Sequence, residues 1–82
     1  MAKTFHLTVA KVGENLFDGE AVSVVLPGAE GAFTVLAHHE ALVTPLKPGE
    51  IRIKTEGAEE QVIPLEGQGL AEVSANQATV LL

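Results

Sequence analysis

His38, His39 and Glu40 have the clearest chemical capacity in this sequence: two imidazoles and a carboxylate in a row, within the stretch AHHEALVTPLKPG from Ala37 to Gly49. Metal ligation or acid–base catalysis needs such groups to converge on one point. In an extended chain adjacent side chains point to opposite faces, and on a helix they sit about 100° apart, so neither conformation brings both rings to one ion. A strand-borne metal site calls for His-x-His, and the metalloprotease helix carries its histidines four apart. The spacing therefore predicts no metal site. It predicts a loop in which one histidine packs or hydrogen-bonds while the other is solvated.

The remaining reactive residues are no better placed. His6 falls on the polar side of an alternating segment, far along the chain from any partner set. Ser23 and Ser74 lack a G-x-S-x-G elbow, and the carboxylates are scattered at turns. The GAEGA turn has no following helix and no Lys-Ser/Thr pair, so it is not a phosphate loop. Lys47 in a small acidic β domain raises a lipoyl or biotinyl carrier, but PLKPG lacks the flanking residues of that modification site. No catalytic residue, cofactor or metal is predicted.

Composition narrows the class further. A chain of 82 residues, 46% hydrophobic, is expected to fold as a single domain over 1–82, and that apolar content is high enough to leave some apolar surface for a partner. A formal charge of −6 repels phosphate backbones and anionic lipid, which excludes nucleic acid as the expected partner. Lys47, Arg52 and Lys54 read as a solvated strand face. With no cysteine there is neither a disulfide framework nor a thiolate site. The longest uncharged stretches fall well short of the roughly twenty apolar residues of a membrane helix, the N-terminus has no secretory apolar core, and a cytosolic setting is expected.

These residues must be positioned by strands. Phe5, Leu7 and Val9 alternate with polar neighbours, as do Ile51 and Ile53, and Val22, Val24 and Leu26 alternate with Ala21, Ser23 and Val25. Weaker runs follow at 32–36, 42–46, 61–65, 70–74 and 78–82, separated by PGAEG, KPGE, EGQG and SAN, with Asp18-Gly19 read as a hairpin turn. The window VLAHHEALV contains good helix formers but is short, flanked by Thr34 and Thr44, and closed by Pro45, so it is read as strand, loop and strand. Pro45 and Pro64 place their strands on edges, or point the missing donors outward. The pattern predicts an all-β, antiparallel sandwich or barrel.

Taken in order, TFHLTVA, LFDGEAVSVVLPGAEGAF, HHEALVTPLKPGEIRI and GLAEVSANQATVLL resemble, nearly end to end, the N-terminal domain of the ATP synthase epsilon subunit. Phe17 with Gly19, and His39 followed by Leu42, Thr44, Lys47, Pro48 and Gly49, carry that resemblance most specifically. It implies a flattened β-sandwich of two roughly five-stranded sheets, without the C-terminal helical hairpin that inhibits hydrolysis in many relatives. It also implies a non-catalytic rotor-stalk subunit that clamps the gamma subunit onto the polar loops of the c-ring, peripheral to the cytoplasmic face of a bacterial inner membrane. On that resemblance Lys11, His38, His39, Glu40, Leu42 and Thr44 would face gamma. Gly28, Ala29, Glu30, Gly31, Ala32 and Phe33 would face the ring, with Glu30 the nearest acidic contact. Leu36, Leu42 and Val43 would be partly exposed in the free domain, and Thr44→Glu would then fold nearly as well as wild type. The competing reading is a free-standing β-sandwich that binds a peptide or sugar.

Overall fold

The computed structural model describes residues 3–82, so the first two residues of the expected 1–82 unit lie outside it. Among the described residues there are nine strands and no helix: β1 Phe5–Lys11, β2 Glu14–Ala21, β3 Ser23–Gly28, β4 Gly31–Leu36, β5 Leu42–Leu46, β6 Gly49–Lys54, β7 Gln61–Leu65, β8 Gly69–Ser74 and β9 Gln77–Leu81. Five form one layer in the order β2-β1-β9-β8-β5, and four form the other as β4-β3-β6-β7. The layers join at one corner, where Gly28 pairs with Leu46. Two further backbone bonds fix that corner, from Ala29 N–H to the Pro45 carbonyl (3.0 Å) and from Lys47 N–H to the Pro27 carbonyl (2.9 Å).

Period-two alternation explains the layering. Phe5, Leu7 and Val9 of β1, Ala71 and Val73 of β8, and Ala78 and Val80 of β9 face inward, opposite Val24, Leu26, Val35, Ile51, Ile53 and Leu65 of the second layer. Among the described residues the fully buried side chains are all apolar, and no buried side-chain polar atom lacks a hydrogen-bond partner. Pro64 lies on β7, at the end of its layer. Pro45 lies on β5, whose second side is paired only at the corner. Both prolines thus sit where a missing N–H leaves no ladder bond unmade.

Three features differ from the sequence expectation. Asp18 and Gly19 lie within β2, where they pair with Thr8 and Leu7. The hairpin turn is instead Val12-Gly13, closed by the Lys11–Glu14 pair, and Gly13 supplies the positive φ of 81° at the second loop position. Aspartate-glycine is a turn signal only when no neighbouring strand claims both residues, and β1 claims these. Second, Val9 pairs with Phe17 while Ala10 pairs with Asn15, so Leu16 is an extra residue in a bulge. Third, β1 and β9 run parallel, because the chain crosses into the second layer and back before adding its last strand beside its first. The layers accordingly number five strands and four.

Candidate functional site

The strands carry the predicted site residues to two ends of the sandwich. At one end the β4–β5 connection begins with a turn in which His39 N–H donates to the Leu36 carbonyl (3.2 Å) and His38 takes φ 62°. The His38 side chain is exposed, whereas His39 is half-buried and its Nδ1 donates to the Glu40 carbonyl (2.7 Å). One histidine is bonded and the other solvated, as the spacing requires. Glu40 is exposed. Among the described residues no group of three or more His, Cys, Asp or Glu converges in a way that could hold a metal.

Lys11 is not near this loop. It ends β1 on the Val12-Gly13 turn, its Nζ 3.6 Å from Glu14 Oε1, while His38 is tied through Asn76 to the start of β1. A seven-residue strand separates the two by about 20 Å. Lys11 instead shares its end of the sandwich with the β3–β4 hairpin tip at Ala29 and Glu30, several strands away across the layer.

Thr44 also departs from the expected placement. On β5, Val43 and Pro45 point outward, while Leu42, Thr44 and Leu46 lie on the inner face. Leu42 is half-buried and packs against the core. Thr44, also half-buried, faces a cleft of about 460 Å³ between β5 and the hairpin 28–33. That hairpin presents Ala29, Glu30, Gly31 and Ala32 to solvent, while Phe33 packs on the core and Gly28 is buried at the corner. A residue expected to face one partner therefore lies beside the segment expected to face the other. The alternation of β5 decides this: if Leu46 points into the core, so does Thr44.

The sequence led to the expectation of an exposed Val43 but not of the apolar strip beside it. Pro45 pairs with Leu70 and Leu70 with Leu81, so three outward residues form an apolar strip across β5, β8 and β9, with Val43 beside it. Val43 is 65% exposed, Leu81 52% and Leu70 42%, which is unusual for neighbouring aliphatic side chains. The signal lay in apolar residues at the polar phase of their strands. On the same layer His6 stands between two carboxylates of β2, with Nε2 2.6 Å from Asp18 Oδ1 and Nδ1 3.2 Å from Glu20 Oε2. Thr4 Oγ1 donates to Glu20 (2.9 Å). The hydrogen bonds to Asp18 and then Glu20 raise the His6 pKa above its ordinary 6.5. The two ring nitrogens face different carboxylates, so the cluster is a strand-to-strand clasp and does not converge on an ion. Arg52 is similarly held by Glu50 (2.6 Å) and Glu60 (3.0 Å), so the guanidinium of the basic cluster is itself paired.

A family model described as the ATP synthase delta/epsilon chain, beta-sandwich domain, matches residues 4–82. The chain belongs to that family. Within the delta/epsilon family it is similar to ATP synthase epsilon chain 1 of Methylococcus capsulatus, with 40% identity over 81 residues covering 99% of this chain and 57% of that protein. It is also similar to the ATP synthase epsilon chain of Janthinobacterium sp. (strain Marseille), with 38% identity over 81 residues covering 99% of this chain and 58% of the other. It thus spans less than two thirds of the length of these curated relatives. Among solved structures, the delta/epsilon-type sandwich superposes on a chain of the Euglena gracilis mitochondrial ATP synthase OSCP/F1/c-ring assembly with a TM-score of 0.87 at 24% identity, covering 95% of this chain and 49% of that one. A chain from the central stalk and c-ring of the Tetrahymena thermophila mitochondrial ATP synthase gives a TM-score of 0.78 at 12% identity, covering 98% and 63%. At these identities the likeness is one of fold.

Proposed function

We propose that this chain is a non-catalytic central-stalk element of an F-type ATP synthase, docking the gamma subunit against the polar loops of the c-ring so that rotation of the ring reaches the catalytic head. The family membership over residues 4–82 carries this reading. The shape is compatible with it. Torque transfer needs a stiff body with two fitted surfaces, and two cross-braced layers around an apolar core supply stiffness without any reactive group. The apolar strip Val43, Pro45, Leu70 and Leu81, together with the 38–42 loop, offers a surface of the kind that permanent subunit interfaces cover. The exposed hairpin tip at Ala29 to Ala32, with Glu30 as its one charge, is the proposed ring contact. Lys11 belongs with that end by position. In this role the chain associates with the membrane only through the complex, on the cytoplasmic face in a bacterium.

Titration of the chain against isolated gamma subunit, followed by calorimetry at several temperatures, tests the reading. One-to-one binding with a negative heat-capacity change supports an apolar interface. Absence of binding between two folded proteins refutes it and favours the peptide- or sugar-binding sandwich.

A further inference from the structure

Asn76 joins three segments that are remote in the sequence. It is the second residue of the two-residue loop between β8 and β9, where Ala75 has φ 49° and Asn76 φ 59°, the pair of positive values that a type I′ turn requires. Its backbone carbonyl accepts from His6 N–H (3.2 Å). Its side-chain Nδ2 donates to the Thr4 carbonyl (3.0 Å), and its Oδ1 accepts from His38 N–H (2.7 Å). One side chain therefore satisfies a donor in the β4–β5 loop and an acceptor before β1, across separations of 38 and 72 residues.

The bond to His38 matters because that residue occupies the left-handed region, which residues other than glycine, asparagine and aspartate seldom adopt. A loop holding such a residue keeps its shape only if its surroundings fix it. The Leu36–His39 turn bond fixes one side of His38, and Asn76 Oδ1 fixes its N–H. We propose that Asn76 is a positioning residue for the docking surface: it holds the 37–41 loop in one conformation in the free chain, so that the loop meets its partner already shaped. The proposal rests on the reading of that loop as a gamma contact. Pre-shaping raises affinity by removing the ordering cost of binding.

Asn76→Gly separates this role from a general structural one. Glycine tolerates the turn's positive φ, so the β8–β9 hairpin keeps its geometry, while both side-chain bonds are lost. Asn76→Asp retains an acceptor for His38 N–H and loses only the donor to Thr4. The experiment combines backbone amide NMR relaxation on the free chain with binding to isolated gamma. In Asn76→Gly the order parameters of residues 37–41 fall from the rigid value of about 0.85 to below about 0.6, while those of β8 and β9 stay unchanged. Gamma binding weakens by about tenfold. Asn76→Asp restores both. A loop that stays rigid in Asn76→Gly, or one that loosens with no loss of gamma affinity, overturns the proposal. If the wild-type chain fails to bind gamma while the loop still depends on Asn76, the docking reading fails and the proposed role falls with it.

Discussion

Gly28→Ala places a methyl group where the chain has no room for one. A Cβ at this buried position would sit 2.6 Å from the Gly31 carbonyl oxygen and 3.0 Å from two ring carbons of Phe33. Carbon and carbonyl oxygen ordinarily approach no closer than about 3.3 Å, so the contact must open by roughly 0.7 Å. The ring can swing aside, but the carbonyl cannot, because Gly28 and Gly31 are the last pair of the β3–β4 hairpin and Gly28 is also the one residue through which β3 pairs with β5. Overpacking of this kind costs about 1–3 kcal/mol, and loss of a corner hydrogen bond adds about 1 kcal/mol, for a total near 3 kcal/mol. A domain of this size has a total stability of roughly 4–12 kcal/mol, so the melting temperature should fall by about 12–24 °C. The chain has no Trp or Tyr, so unfolding in urea is best followed by far-ultraviolet circular dichroism. Gly67→Ala is the matched control, since nothing lies within 4 Å of its Cβ and its φ is not in the positive region. It should change stability by less than about 1 kcal/mol, in the stabilising direction. Gly28→Ala within about 0.5 kcal/mol of wild type would refute the steric account of the corner.

Three further substitutions test which side chains face solvent and how the His6 clasp responds to pH. Val43→Glu should fold within about 0.5 kcal/mol of wild type, because the side chain points outward, whereas Thr44→Glu should lose about 1–3 kcal/mol by placing a carboxylate on the inner face; in gamma titrations Val43→Glu should still bind weakly, and a pair of equal folding losses in urea would place both residues on one face. His6 has a folded pKa raised above 6.5, so its clasp on Asp18 and Glu20 contributes fully below 6.5 and is lost as pH rises through the raised value. The melting-temperature gap between wild type and His6→Gln should therefore be widest on the acid side of 6.5 and close at higher pH; a gap that widens with pH would contradict the clasp.

Much of the architecture was legible because it follows from local rules. A side-chain period of two names the strands, and Pro45 and Pro64 fall on strands that have an open side or only a corner pairing there. Adjacent histidines exclude a shared ion in any regular conformation. Register and layer order are different in kind, because they depend on which remote strand lies alongside. Asp18-Gly19 is a turn by composition and a strand interior once β1 pairs with it. Thr44 and Lys11 belong with the His38 loop by resemblance, but the inward phase of β5 and the length of β1 separate them. Likewise Asn76 is an ordinary turn residue until the fold carries Thr4 and His38 to its side chain. The sequence alone thus determined the strands, each set by a residue and its immediate neighbours. Only the tertiary structure decided which residues share an end, a cleft or a hydrogen bond, because those relations are made between segments whose separation along the chain carries no information about distance in space.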